Sequence, residues 1–161
     1  DSNTDKPEHL NQIIRGLLQI QQISNQVLVL PLHPRTRKKM TELLEPAVAE
    51  ELQDNSRIQV IDPAGFLDMI SLESRCSMVI TDSGGVQKEA FFFKKPCIIL
   101  REQTEWVEIV ENGNALLVGS NEEKLIEAYN QLTTKKDYTY PPFFGDGHAS
   151  EEICRLMLEH L

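Results

Sequence analysis

The sequence predicts an α/β fold in which a doubly wound parallel sheet is wrapped by helices. Three observations carry that expectation. Short apolar runs at 27–32, 58–61, 78–81, 96–100 and 115–118 have the length and continuity of strands covered on both faces. Segments of helical periodicity separate successive runs. The gaps between runs also hold the dozen or more residues that a right-handed crossover between parallel strands requires.

The elements follow in order. Residues 7–24 open with Pro7 at a first helical position, behind Thr4 and Asp5 as cap candidates, and continue with Leu10, Ile13, Ile14, Leu17, Leu18 and Ile20 on one face. The first strand, 27–32, runs into the basic cluster His33-Pro-Arg-Thr-Arg-Lys-Lys39, which contains Arg35. Such a cluster is either a solvated helix face or an anion site beyond a strand's C-terminal end. Helical spacing resumes at Met40, Leu43, Leu44 and Val48, with Pro46 marking a break or restart. The second strand, 58–61, ends in the turn Asp62-Pro-Ala-Gly65, and Phe66, Leu67, Met69, Ile70 and Leu72 make the next helix.

A third strand, 78–81, leads into a helix whose end, Phe91-Phe-Phe93, reads as core. After the fourth strand, 96–100, the polar loop Arg101-Glu-Gln-Thr-Glu-Trp106 precedes a short helix with Val107, Ile109 and Val110 that Gly113 ends. The fifth strand and a turn at Gly119-Ser-Asn lead to an amphipathic helix over 122–132. The stretch 133–147 has no periodicity and reads as loop. A final helix over 149–161 places Ile153, Leu156, Met157 and Leu158 on one face.

Composition limits what such a domain does. The chain of 161 residues is long enough for one domain with a real core and too short for two. No apolar run approaches the roughly 20 residues that cross a bilayer, so no membrane partner is expected. The net charge of -9 argues against nucleic acid, whose binding rests on neutralising phosphates with Lys and Arg. Any anion must therefore be held locally. Cys76, Cys97 and Cys154 are odd in number and widely spaced in apolar surroundings, which predicts buried thiols in a reducing compartment, the cytoplasm, rather than disulfides or a metal site. The opening residues show neither a basic n-region nor an initiator Met, so no signal peptide is expected and the chain reads as a piece of something longer.

The stretch Met78-Val-Ile-Thr-Asp-Ser-Gly-Gly-Val-Gln-Lys-Glu-Ala90 carries the chemistry. Asp82 and Ser83 are preferred helix N-caps, Gly84 and Gly85 have no Cβ, and Val86 and Ala90 repeat at helical spacing. The first amides of a helix lack internal acceptors and sit at the positive end of its dipole. A phosphate able to approach side-chain-free glycines is held there. Glu89, further along the same helix, is placed to reach sugar hydroxyls attached to that phosphate. In an open parallel sheet ligands bind at the C-terminal strand ends, so the loops at 33–37, 62–65, 82–85 and 101–106 are expected to converge on one edge.

Thr81-Asp-Ser-Gly-Gly-Val-Gln-Lys-Glu-Ala90, Lys95-Pro-Cys, Leu100-Arg-Glu-Gln-Thr-Glu-Trp-Val-Glu108 and Gly145-Asp-Gly147 together resemble the non-hydrolysing UDP-N-acetylglucosamine 2-epimerases, and Asn3-Thr-Asp5 looks like the remnant of that family's His-Arg-x-Glu-Asn-Thr segment. The resemblance implies a single UDP-binding, Rossmann-like domain over 1–161, the C-terminal half of a glycosyltransferase-B-like architecture, with the N-terminal catalytic half lying outside this chain. It implies that Ser83, Gly84 and Gly85 hold the diphosphate and that Glu89 takes the ribose hydroxyls. Uracil would be read by the loop and helix start containing Ala64 and Met69, largely through backbone groups, and His33 matches the family's His after the first strand of this half. Arg35, Arg101 and Trp106 are secondary candidates for the same site. Many members have Arg where this chain has Trp106, and Glu-Trp-Val-Glu looks like the branch acting on related UDP-sugars, including 2,3-diacetamido uronic acid forms.

The family's chemistry removes the C2 proton, eliminates UDP and re-adds it with the proton on the other face. It implies no metal and no cofactor, a cytoplasmic homodimer serving cell-surface polysaccharide synthesis, and UDP or a UDP-N-acetylhexosamine as ligand. The proton-transferring acids belong to the N-terminal half, so this chain alone is expected to hold UDP without turning over. A related-sugar or hydrolysing epimerase, a glycosyltransferase of the same architecture and a non-catalytic nucleotide-sugar-binding domain are the alternatives.

Overall fold

A computed structural model describes residues 3–159. The chain runs α1 (Pro7–Ser24), β1 (Leu28–Pro31), α2 (Pro34–Leu43), α3 (Pro46–Asp54), β2 (Ile58–Ile61), α4 (Phe66–Arg75), β3 (Val79–Thr81), α5 (Gly84–Phe92), β4 (Cys97–Ile99), α6 (Val107–Glu111), β5 (Ala115–Leu117), α7 (Glu122–Thr134) and α8 (Ala149–Glu159). All strand pairs are parallel. The five expected strands and the restart at Pro46 are all present. Among the described residues no helix is long and apolar enough to cross a membrane.

One continuous sheet was the expectation, and the hydrogen-bond ladder instead divides into β1-β2 and β3-β4-β5. A physical reason lies in β1. The amides of Leu28 and Leu32 donate towards β2, to the carbonyls of Arg57 and Ile61. Because backbone groups alternate sides along a strand, Val29 and Pro31 face the other edge, and Pro31 has no N–H to give. That edge lies across a cavity from β3, whose Ile80 packs into the same apolar cluster as Leu28 and Leu30.

The core has three parts. Leu10, Ile14 and Leu17 of α1 pack with Met40, Val48 and Ile58. Ile20 reaches Ile98, Leu125, Ala128 and Leu132, joining α1 and α7 to β4. At the α1–α7 crossing Gly16 is required by proximity, since a Cβ there would lie 2.6 Å from Leu125 Cδ2. Val79, Ala90, Phe91, Cys97, Ile99, Ile109 and Ala115 bury α5 and α6 against β3-β4-β5. Gly113 ends α6 in the left-handed region (φ 75°).

Three local expectations are corrected. Thr4 and Asp5 do not cap α1, whose N-cap is Lys6 with no side-chain bond. Of the aromatic triplet only Phe91 is core; Phe92 is 56% exposed because it lies on the outer side of α5. Cys97 is buried and Cys76 partly so, whereas Cys154 is exposed on α8. The apolar face of α8 forms as expected, but Ile153, Leu156, Met157 and Leu158 are all exposed.

Ile98, central in β4 and fully buried, is the residue on which two layers close. Ile98→Ala is expected to cost about 2–5 kcal/mol through lost burial and an incompletely collapsed cavity. A lower urea midpoint with an unchanged m-value checks it.

Candidate functional site

The site grows from the turn between β3 and α5. The Thr81 hydroxyl oxygen accepts the Ser83 amide at 3.0 Å, which bends the chain out of the strand. Ser83 takes the N-cap position of α5 but its side chain makes no capping bond. The hydroxyl and the first helical amides, those of Gly84, Gly85 and Val86, therefore remain a cluster of donors at the positive end of the helix. Gly85 opens this cluster to the outside. A Cβ built there would meet no protein atom closer than Ser83 Oγ at 3.9 Å.

Gly84 closes the opposite flank. A Cβ on it would fall 1.9 Å from Glu105 Oε1, so the Glu105 carboxylate packs directly on the glycine. Arg101 holds that carboxylate at 2.9 Å, and the Trp106 indole N–H donates to the Gly84 carbonyl at 2.8 Å. Thr104 ties the loop to the helix interior by donating to Gln87 Oε1 at 2.6 Å while accepting the Trp106 amide at 3.1 Å. Gln87 is fully buried. The Lys88 ammonium lies 4.7 Å from the Trp106 ring and 4.6 Å from Phe144, fastening the 133–147 segment over the same loop.

A cavity of about 1150 Å³ lies between β1 and β3, where the two ladders are not joined. His33, Ala64, Met69 and Ser83 all line it. His33 caps α2, its Nδ1 accepting the Arg35 amide at 3.3 Å. Ala64 precedes α4 and Met69 sits in its first turns. The structure thus gathers four of the sequence-predicted residues around one space, with Gly84 and Gly85 following directly on Ser83. The basic cluster behaves differently. Arg35 is engaged by both Asp5 oxygens at 2.9 Å and Arg37 by Asp62 at 3.1 Å. Neither guanidinium lines the cavity.

Glu89 is half-buried on α5 and faces α4. The residue it meets is Glu73, only 4% exposed and also lining the cavity. Burial first, and then the charge of Glu89, push the Glu73 carboxyl up to about 7. Neither Glu73 oxygen has a hydrogen-bond partner in this structure. On β4 burial pushes the Cys97 thiol up to about 12. No group of three or more His, Cys, Asp or Glu suited to a metal occurs among the described residues.

Gln87, Thr104, Glu105 and Glu73 were not singled out from sequence. Glu73 had a signal, since with Met69 and Leu72 it completes the i, i+3, i+4 stripe of the inward face of α4. Gln87 likewise sits between Val86 and Ala90 on a helix whose interior is packed. Thr104 and Glu105 had none, because a polar loop does not announce which of its side chains turns inward.

Comparison with known proteins identifies the family. Residues 1–158 match the family described as UDP-N-acetylglucosamine 2-epimerase. The chain is 40% identical over 155 residues to the UDP-N-acetylglucosamine 2-epimerase of Methanocaldococcus jannaschii, covering 96% of this chain and 41% of that protein. With equal coverage it is 44% identical to the UDP-2,3-diacetamido-2,3-dideoxy-D-glucuronate 2-epimerase of Pseudomonas aeruginosa. The crystal structure of the M. jannaschii enzyme in complex with UDP-GlcNAc and UDP superposes with a TM-score of 0.84 at 39% identity, covering 98% of this chain and 42% of that one. The chain spans about two-fifths of the length of these relatives. Sequence pattern, α/β topology and structural likeness lead to one conclusion: the chain belongs to the UDP-N-acetylglucosamine 2-epimerase family.

Proposed function

We propose that this chain is the nucleotide-binding half of a UDP-sugar 2-epimerase, and that the β3–α5 turn holds the diphosphate. The single observation that carries the reading is the uncovered N-terminus of α5, open at Gly85 and placed at the mouth of a cavity that His33, Ala64 and Met69 also line. Ser83, Gly84 and Gly85 supply donors to the phosphate oxygens, Glu89 accepts from the ribose hydroxyls, and the 64–69 segment reads the base through its backbone. The role of this half is electrostatic: fixed donors stabilise the charge that develops on the diphosphate as it leaves C1 and returns. No step requires a metal or a cofactor.

The acids that move the C2 proton belong, in this reading, to the N-terminal half that the relatives' extra length provides. The uncovered apolar face of α8 supports a second half, since an amphipathic helix with Ile153, Leu156, Met157 and Leu158 exposed has a surface still to bury. Free thiols agree with a cytoplasmic enzyme. A homodimer acting in cell-surface polysaccharide synthesis is the assembly and setting the family resemblance favours. The preferred substrate is UDP-N-acetylglucosamine. A second reading, a UDP-2,3-diacetamido uronic acid substrate, draws on the 44% identity to the P. aeruginosa relative and on Trp106. Product analysis of the full-length protein with each sugar separates the two.

Glu89→Gln is expected to weaken UDP binding by roughly 1–3 kcal/mol, because a charge-assisted hydrogen bond is lost; titration calorimetry with UDP and uridine measures it, and unchanged affinity for both would remove Glu89 from the site. Gly85→Val should place a branched side chain in the phosphate space while leaving the fold intact, since a Cβ there meets no protein atom closer than Ser83 Oγ at 3.9 Å. A folded variant with parental UDP affinity would put the cradle elsewhere. In deuterated water the full-length protein should install deuterium at C2 of its UDP-sugar, whereas this chain alone should not, lacking the roughly 10²–10⁴-fold contribution of a positioned acid or base.

A further inference from the structure

Among the described residues Glu73 is the one buried carboxylate. It is 4% exposed, has no hydrogen-bond partner for either oxygen and forms no ion pair among the described residues. Its helix, α4, carries Met69 one turn earlier, and its side chain lines the same cavity as Ser83. Burying an acid without a partner is costly, and the cost falls sharply if the acid keeps its proton. A neutral carboxyl has a donor to place, and the acceptor that faces it is Glu89.

We propose that Glu73 is a positioning residue for the nucleotide: it retains a proton and presents it to Glu89 from behind, orienting that carboxylate for the ribose hydroxyls. The inference rests on the assignment of Glu89 to the ribose in the preceding section. The proton's location follows from balance of charge. With one proton on the pair, Glu89 is the anion and accepts from Glu73 on one side and from ribose on the other. With none, two carboxylates confront each other beside an incoming diphosphate, and both repulsions oppose binding.

The groups around Glu73 leave this pair as the titrating unit. Cys76, at the end of α4, donates its thiol to the Glu73 backbone carbonyl at 3.2 Å, and Cys97 faces Glu73 from β4. Both thiols are raised by burial and stay protonated through the neutral range. Lys95 acts on Cys76, and Arg75 lines the cavity without bonding to the Glu73 carboxyl. Burial and Glu89 raise Glu73 to about 7 in the free protein, and in this proposal the negative charge of a bound diphosphate acts in the same direction. Binding therefore takes up a proton above neutrality, and affinity falls as pH rises through that region.

The test is UDP titration calorimetry on the full-length protein and on Glu73→Gln from pH 6 to 8.5, in two buffers of different ionisation enthalpy. UDP's own phosphate titration appears identically in both proteins, so their difference isolates Glu73. The Kd of the parent is expected to rise by roughly tenfold more than that of Glu73→Gln between pH 6.5 and 8.5, with proton uptake in the parent only. Glu73→Gln, which keeps a neutral donor, should retain the parent's low-pH affinity, and Glu73→Met, which does not, should bind more weakly than Glu73→Gln at every pH. Superimposable pH profiles of parent and Glu73→Gln would overturn the proposal, as would absence of extra proton uptake by the parent above pH 7, a result that needs no variant to fold. Failure of the parent to bind UDP at any pH would instead overturn the nucleotide assignment on which the proposal stands.

Discussion

The turn from β3 into α5 must satisfy opposed demands, and much of the surrounding structure follows from them. One flank of the helix N-terminus has to remain uncovered for the proposed diphosphate to reach its amides. The other flank has to be closed, or the turn is unsupported. Two adjacent glycines divide the work: nothing touches Gly85 on its open side, while Glu105 and the Trp106 indole press onto Gly84. The hydrogen bonds from Thr104 to Gln87 and from Arg101 to Glu105 hold that closing loop in place. Lys88 and its aromatic neighbours extend the support to the 133–147 segment. A residue far from the amides in sequence, such as Phe144, thus helps determine their surroundings.

The parallel sheet supplies the other half of the arrangement. Because each strand enters from the same side, every loop after a strand emerges at one edge, and β1 and β3 put His33 and Ser83 across a single cavity. Pro31 keeps the facing edge of β1 short of a donor, so the two sheets approach without a ladder between them. The space left between them is where the candidate residues meet. A continuous ladder would fill that gap with backbone pairs.

Glu73 shows the usual tension between stability and function. A Leu at this buried place would spare the desolvation of an acid, and nothing in the packing of α4 demands a carboxyl. Its value, in the role proposed above, lies in facing Glu89. The exposed apolar face of α8 shows a similar tension on the outside of the domain, where a surface unfavourable for this chain alone makes sense beside a further body.

Apolar periodicity determined the strands and helices, since strand length and helical spacing are local properties of burial. Residue type and order at Ser83-Gly-Gly singled out the turn proposed to hold the phosphate for the same reason: N-cap chemistry and missing Cβ atoms act over a few residues. Tertiary structure alone decided the direction each exposed or polar side chain takes. Arg35, a candidate by position, turned to Asp5 across 30 residues of chain; Phe92 and Cys154 faced outward although their composition suited the interior. Glu73 came to face Glu89 only because α4 packs on α5, and Glu105 met Gly84 only because the 101–106 loop folds back over the helix start. Contacts between distant segments depend on how layers stack, and that stacking is a property of the whole core rather than of any window of sequence.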